Sequence, residues 1–171
     1  MRAHELRSLQ APLKERYRAE PETAVVTLTA RGELDSQDVE CRVDTGRVLV
    51  QAGLHPATGG TGALACSGNM LLDALVACAG VTLKAVATAI EFDLRGATVT
   101  AEGDLDFRGT LGVAKDAPVG FRGIRLAFDL DTDETSERVD QLAALTERYC
   151  VVLQTLATPP ELTVQLTRRT G

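Results

Sequence analysis

Cysteine is the residue type on which chemistry could turn in this chain, and it occurs as Cys41, Cys66, Cys78 and Cys150. Thiols act as nucleophiles and redox groups once ionised, and ionisation is favoured by a nearby cation or by the N–H groups of a helix N-terminus. Cys78 lies midway along GNMLLDALVACAGVTLKAVATAI, residues 68 to 90, which is apolar at nearly every position. A free cysteine also packs as a small hydrophobe, so core packing is the plainer reading of Cys78. Cys150 has a different setting. It stands between ERY and VVLQTL, near a possible helix start whose N–H groups and dipole would stabilise a thiolate, although core packing is again the alternative. Cys66 precedes Ser67, an expected N-cap, and would share that electrostatic advantage; a buried loop position is the simpler account. Cys41 falls in an alternating segment and reads as packing.

Other chemistries find little support. His4 and His55 are far apart and form no ligand spacing with the cysteines, so neither a metal site nor a Ser-His-Asp arrangement is expected. The segment ATGGTGALACSGN lacks the Lys-Ser/Thr end of a P-loop and the spacing of a dinucleotide fingerprint. No cofactor is implied. A formal charge of −6 and a pI near 5.0 argue against nucleic acid as a partner. Residues 71 to 90 are long enough to span a bilayer, but Asp73 and Lys84 would each cost about 2.5–3.5 kcal/mol at mid-helix, so no membrane is expected. The first twenty residues carry charge without an apolar stretch of the signal-peptide type. A cytoplasmic, reducing setting follows, in which the thiols stay free of structural disulfides.

The elements that must position these thiols can be read from periodicity. Residues 3 to 19 predict a polar amphipathic helix ending before Pro21, within an N-terminal extension of residues 1 to 22. TAVVTLTARGEL, DVECRVD and GRVLVQAG then predict a three-strand meander with a tight turn over Asp44 to Gly46. A loop, HPATGGTGALACSG, leads into the long apolar helix. ATVTAEGDLDF and FRGIRLAFDLD predict two further strands. DLDTDETSE caps an amphipathic helix through Val139, Leu142 and Leu145, helical sequence continues over Cys150 to Leu156, and Pro159-Pro160 stop it. A last alternating segment, ELTVQLTRR, predicts a closing strand. Strands grouped in this way indicate an α+β fold with a mainly antiparallel sheet. A helix apolar all round must be covered on every side, and one sheet covers only one face, which argues for an intimate homodimer.

This succession of meander, Gly-rich loop, helix of the form LLDALVACAGVTL with a central cysteine, two strands and a helix with a second cysteine resembles the OsmC/Ohr family, the osmotically induced and organic-hydroperoxide-resistance proteins. The resemblance runs over residues 23 to 168, within an OsmC-like domain of residues 23 to 171. It implies an intertwined homodimer and a thiol peroxidase. In that reading Cys78 attacks an organic hydroperoxide, Cys150 resolves the sulfenic acid as a disulfide, and a dithiol reductant, of the dihydrolipoyl kind, restores the pair. A non-enzymatic relative that binds a small apolar ligand or serves as a structural stress protein is the alternative. The chain departs from the family pattern in its helpers. Ten residues before Cys78, where the family has a Glu that orients an Arg, stands Gly68, and residues 48 to 93 contain no Arg. Asp73 lies about 140° around the helix from Cys78 and cannot share its face. Arg47, with Arg42 behind it, is the replacement cation expected from the sequence. Val151 stands where the family has Pro after the second cysteine.

Overall fold

The computed structural model describes residues 2–19, 31–34, 40–44, 49–112 and 114–168. Its architecture is α+β and mainly antiparallel, as expected from the sequence. The first helix, α1, spans Ala3–Ala19. Strands β1 (Arg31–Leu34), β2 (Glu40–Asp44) and β3 (Leu49–Gly53) form an antiparallel meander, with Leu34 opposite Cys41 and Glu40 opposite Gly53. The predicted strand residues 23 to 30 and the turn after Asp44 lie outside the described residues.

The loop after β3 carries more order than its composition implies. His55 caps a short 3-10 turn, Pro56–Thr58, by accepting from the Ala57 N–H at 3.1 Å, and its ring stacks on Phe107. A two-residue strand, β4 (Ala65–Cys66), then pairs in parallel with β3. The Leu64 side chain packs over Gly53, where a Cβ would meet its Cδ1 at 2.8 Å.

The long helix α2 covers Ser67–Ala89, and Cys66, not Ser67, is its N-cap. By length and composition α2 could cross a membrane. Here, though, Leu75, Ala79, Leu83 and Ala87, four residues apart, form a buried stripe against other elements of the chain. Opposite them lies an antiparallel ribbon of β5 (Gly96–Leu105) and β6 (Phe121–Asp131), whose Val99, Ala101, Ile124, Leu126 and Phe128 face the helix. A single turn of helix, α3 (Phe107–Thr110), opens the connection between the two strands. Helix α4 (Ser136–Tyr149) begins at Thr135, whose hydroxyl accepts from the Arg138 N–H, and it packs Leu142 against Leu83, Ala87 and Phe92. A separate short helix, α5 (Val151–Ala157), follows at once.

Among the described residues the predicted closing strand does not form. Residues 159–168 are extended but lie beside no strand among the described residues, and Leu162, Val164 and Leu166 are almost wholly exposed. Alternation specifies a pleat, but a strand also needs an edge to bond to.

Arg138 joins α4 to the end of α2. Its guanidinium donates to the Ile90 and Glu91 carbonyls at 3.2 Å each and lies over the Phe92 ring, while Glu91 adopts a left-handed φ of 54°. These carbonyls sit where a helix has no partners of its own, and a cation there also meets the negative end of the helix. Replacing Arg138 by Met keeps the aliphatic stem and removes the donors. A loss of about 1–2 kcal/mol in urea unfolding is expected, with no change in the m-value.

Candidate active site

Cys78 and Cys150 come together because α2 and the α4–α5 break are packed on each other. Cys78 is half-buried at the centre of α2, and Cys150 is fully buried against Leu75 and Ala79. Cys150 ends α4 and begins α5: its φ of −74° is helical, but its ψ of 106° turns the chain out of the helix. Its N–H still bonds to the Thr146 carbonyl at 3.0 Å, and its own carbonyl accepts from Gln154 at 2.9 Å. The Gln154 side chain donates to the Glu147 carbonyl, satisfying a group that the early end of α4 leaves free. Two β-branched residues, Val151 and Val152, follow directly and weaken any tendency to continue α4 unbroken. The break therefore forms without the family's proline.

This geometry sets the two thiols apart. Burial pushes Cys78 upward, but hydrogen bonding to the Val152 N–H, the Cys150 thiol, the Val151 N–H and the Thr82 hydroxyl outweighs it and holds Cys78 below its ordinary value. Burial pushes Cys150 above its ordinary value, the Leu153 and Val152 N–H groups offset part of this, and the neighbouring Cys78 sulfur adds to it. Of the two thiols, Cys78 is therefore the one that ionises more readily.

The remaining expectations fare differently. Arg47 lies outside the described residues, and Arg42 is placed on β2 opposite Glu33 and Gln51. Among the described residues the thiolate is favoured by hydrogen-bond donors, with no cation among the causes. Gly68 sits among Leu105, Phe121 and Cys66, an apolar corner in place of the family's acid. Asp73 is exposed. Cys66 makes no capping hydrogen bond through its side chain and heads the same helix as Cys78, about 18 Å away along its axis, so it is no partner to the pair. Thr82 and the N–H groups of Val151 and Val152 were not anticipated. Thr82, four residues after Cys78 on a helix, was within reach of a spacing argument; backbone donors leave no mark in a side-chain motif.

The model of the OsmC-like protein family matches residues 60–165, which include both cysteines, α2 and the β5–β6 ribbon. The chain belongs to this family. Among solved structures, an OsmC-like protein from Mycoplasma pneumoniae is similar in fold at a TM-score of 0.64 and 15% identity, over 78% of this chain and 89% of that one. An organic hydroperoxide resistance protein from Legionella pneumophila gives 0.61 and 16%, over 78% and 91%. The organic hydroperoxide resistance protein OhrB of Bacillus subtilis gives 0.55 and 18%, over 77% and 93%. At such identities the likeness is one of fold. No curated protein matches the chain. Helix α1 lies before the matched OsmC-like residues and is joined to the turn that follows α2 by an Arg7–Glu91 ion pair at 2.9 Å.

The role of the backbone donors can be tested by Val151→Pro, which deletes one N–H at a helix position where proline is tolerated. In a chain whose other cysteines are serine, alkylation of Cys78 by iodoacetamide at neutral pH should slow by about tenfold, from loss of one hydrogen bond to a charged sulfur, and its pH midpoint should move up. An unchanged midpoint would mean that the Val151 N–H does not act on the thiolate.

Proposed function

We propose that this OsmC-like protein is a thiol-dependent peroxidase of organic hydroperoxides, working in the cytoplasm as a homodimer and serving oxidative-stress defence. The observation that carries this reading is the half-buried Cys78 packed directly beside the fully buried Cys150, with hydrogen bonding holding Cys78 below its ordinary value and burial pushing Cys150 above its own. The Cys78 thiolate attacks the terminal peroxide oxygen, the O–O bond breaks, and the alkoxide leaves as the alcohol after taking a proton. Cys150 then gives up its proton as its sulfur attacks the Cys78 sulfenic acid, forming the disulfide and releasing water. A dithiol reductant, of the dihydrolipoyl type, returns both sulfurs to the reduced state. Val81, three residues after Cys78, and Val151, next to Cys150, are 73% and 70% exposed. Apolar groups at that edge favour an alkyl or aryl hydroperoxide over hydrogen peroxide.

The decisive assay compares cumene hydroperoxide with hydrogen peroxide, using the wild type, Cys78→Ser and Cys150→Ser with a dithiol. Turnover should prefer the organic peroxide. It should vanish in Cys78→Ser and, in Cys150→Ser, stall after one equivalent unless the external thiol resolves the sulfenic acid. A wild type no faster than Cys78→Ser would end the peroxidase reading and leave a relative that binds a small apolar ligand.

Two features support the homodimer. The main contact of the β1–β4 sheet with the rest of the chain, among the described residues, is between β4 and α2. The extended residues 159–168 expose Leu162, Val164 and Leu166 on alternate positions. A second copy can supply both a face for the sheet and an edge for that segment. Sedimentation velocity should give a dimer for the wild type and a monomer, or a dimer weakened by at least about tenfold, when Leu162, Val164 and Leu166 are all replaced by Asp.

A further inference from the structure

Among the described residues, the Thr146 hydroxyl is a buried side-chain group without a hydrogen-bond partner. Thr146 is only 1% exposed, so no solvent compensates it. A threonine in a helix can ordinarily donate to the carbonyl one turn back, as Thr88 does to Lys84 at 2.8 Å. Thr146 does not. An unsatisfied buried hydroxyl weakens a fold, and a partner in some other state of the molecule would account for it.

Its position identifies the state. Leu142, Thr146 and Cys150 follow one another at four-residue spacing on the inner side of α4 and are all buried. Leu142 packs with Leu83 and Ala87, and Cys150 packs with Leu75 and Ala79. The two helices therefore run antiparallel, and Thr146 falls between the clusters, at the level of the redox pair. The helical φ of Cys150 keeps its Cβ on the helix surface. Side chains four apart have Cβ atoms about 5–6 Å from each other, and the later one leans towards the earlier. The Cys150 sulfur thus lies on the side that the Thr146 hydroxyl sweeps as it rotates about χ1, the Leu142 carbonyl one turn back being the other acceptor within its reach.

We propose that Thr146 is a positioning residue of the redox pair, whose hydroxyl donates a hydrogen bond to the Cys150 sulfur when that sulfur leaves as a thiolate. This rests on the peroxidase reading above. In the disulfide, Cys78 is the more accessible sulfur, so a reductant thiolate attacks it. A bond forms between the reductant sulfur and Cys78, the Cys78–Cys150 bond breaks, and its electron pair passes to Cys150. The second thiol of the dithiol loses its proton and attacks the reductant sulfur of the mixed disulfide. That step frees the Cys78 thiolate, and the released proton is taken up by Cys150. Reduction is faster when the leaving sulfur is stabilised, and a buried thiolate needs a donor most.

The test uses the full chain with its disulfide formed by diamide, which does not require peroxidase turnover. Reduction by dithiothreitol is then followed by quenched thiol labelling in wild type, Thr146→Val and Thr146→Ser. Valine fills the same space without a hydroxyl and should slow reduction by about tenfold, the loss of one hydrogen bond to a charged group, while thermal stability holds or rises. Serine should reduce at the wild-type rate. Equal rates for valine and wild type, or equal slowing by valine and serine, would overturn the proposal. A second measurement follows thiolate absorbance against pH in a Cys78→Ser background. There Thr146→Val should move the Cys150 titration to higher pH and Thr146→Ser should not; no movement in either overturns the role. If diamide forms no Cys78–Cys150 disulfide, the redox-pair reading fails by itself, and this titration still decides whether Thr146 acts on Cys150.

Discussion

The packing of Cys150 against Leu75 and Ala79 is the contact on which the site depends. It fixes where α4 must stop, because the residue that fills the space between the helices is also the residue at which the chain turns. Once Cys150 is seated, Val151 and Val152 begin a new helix with their N–H groups directed at the centre of α2. The thiolate is therefore favoured by the same packing that closes the core, and Arg138, by bonding to the Ile90 and Glu91 carbonyls just past the end of α2, keeps the far ends of the two helices in register.

This arrangement resolves the main difficulty posed by the sequence. Burial opposes ionisation of any thiol, and in the family the compensation comes from an arginine held by a glutamate. The described part of this chain offers Gly68 where that acid is expected, yet Cys78 still lies below its ordinary value. The offset comes from several modest donors acting together. A site of this kind needs no desolvated ion pair, which is costly to bury and leaves a stranded charge when one partner is lost.

How much of this was legible follows from the range of the interactions. Helices α1 and α4, the strands β5 and β6, and the long apolar helix were readable because their periodicity extends over ten or more residues. The two-residue β4 was not, since its pairing with β3 is a contact between separate segments and not a local pattern. ELTVQLTRR shows the reverse failure: its alternation is clear, but sequence pattern carries no information about where the partner edge lies. Cys78 and Cys150 were found as a pair only through the family resemblance, because nothing in either segment names the other. Thr82 sits one helical turn from Cys78, but threonine in an apolar helix reads as filler.

The donors at the α4–α5 break have a consequence for how the site would respond as charge moves. An arginine on a flexible side chain can swing with the negative charge as it passes from sulfur to a departing oxygen. The amides of Val151 and Val152 are held by the helix itself and cannot follow. Their orientation is already set before any reactant arrives, so little reorganisation accompanies loss of charge from the sulfur, which is the advantage of a preorganised field. The corresponding restriction is spatial: fixed amides favour negative charge only where they already point, at the Cys78 sulfur.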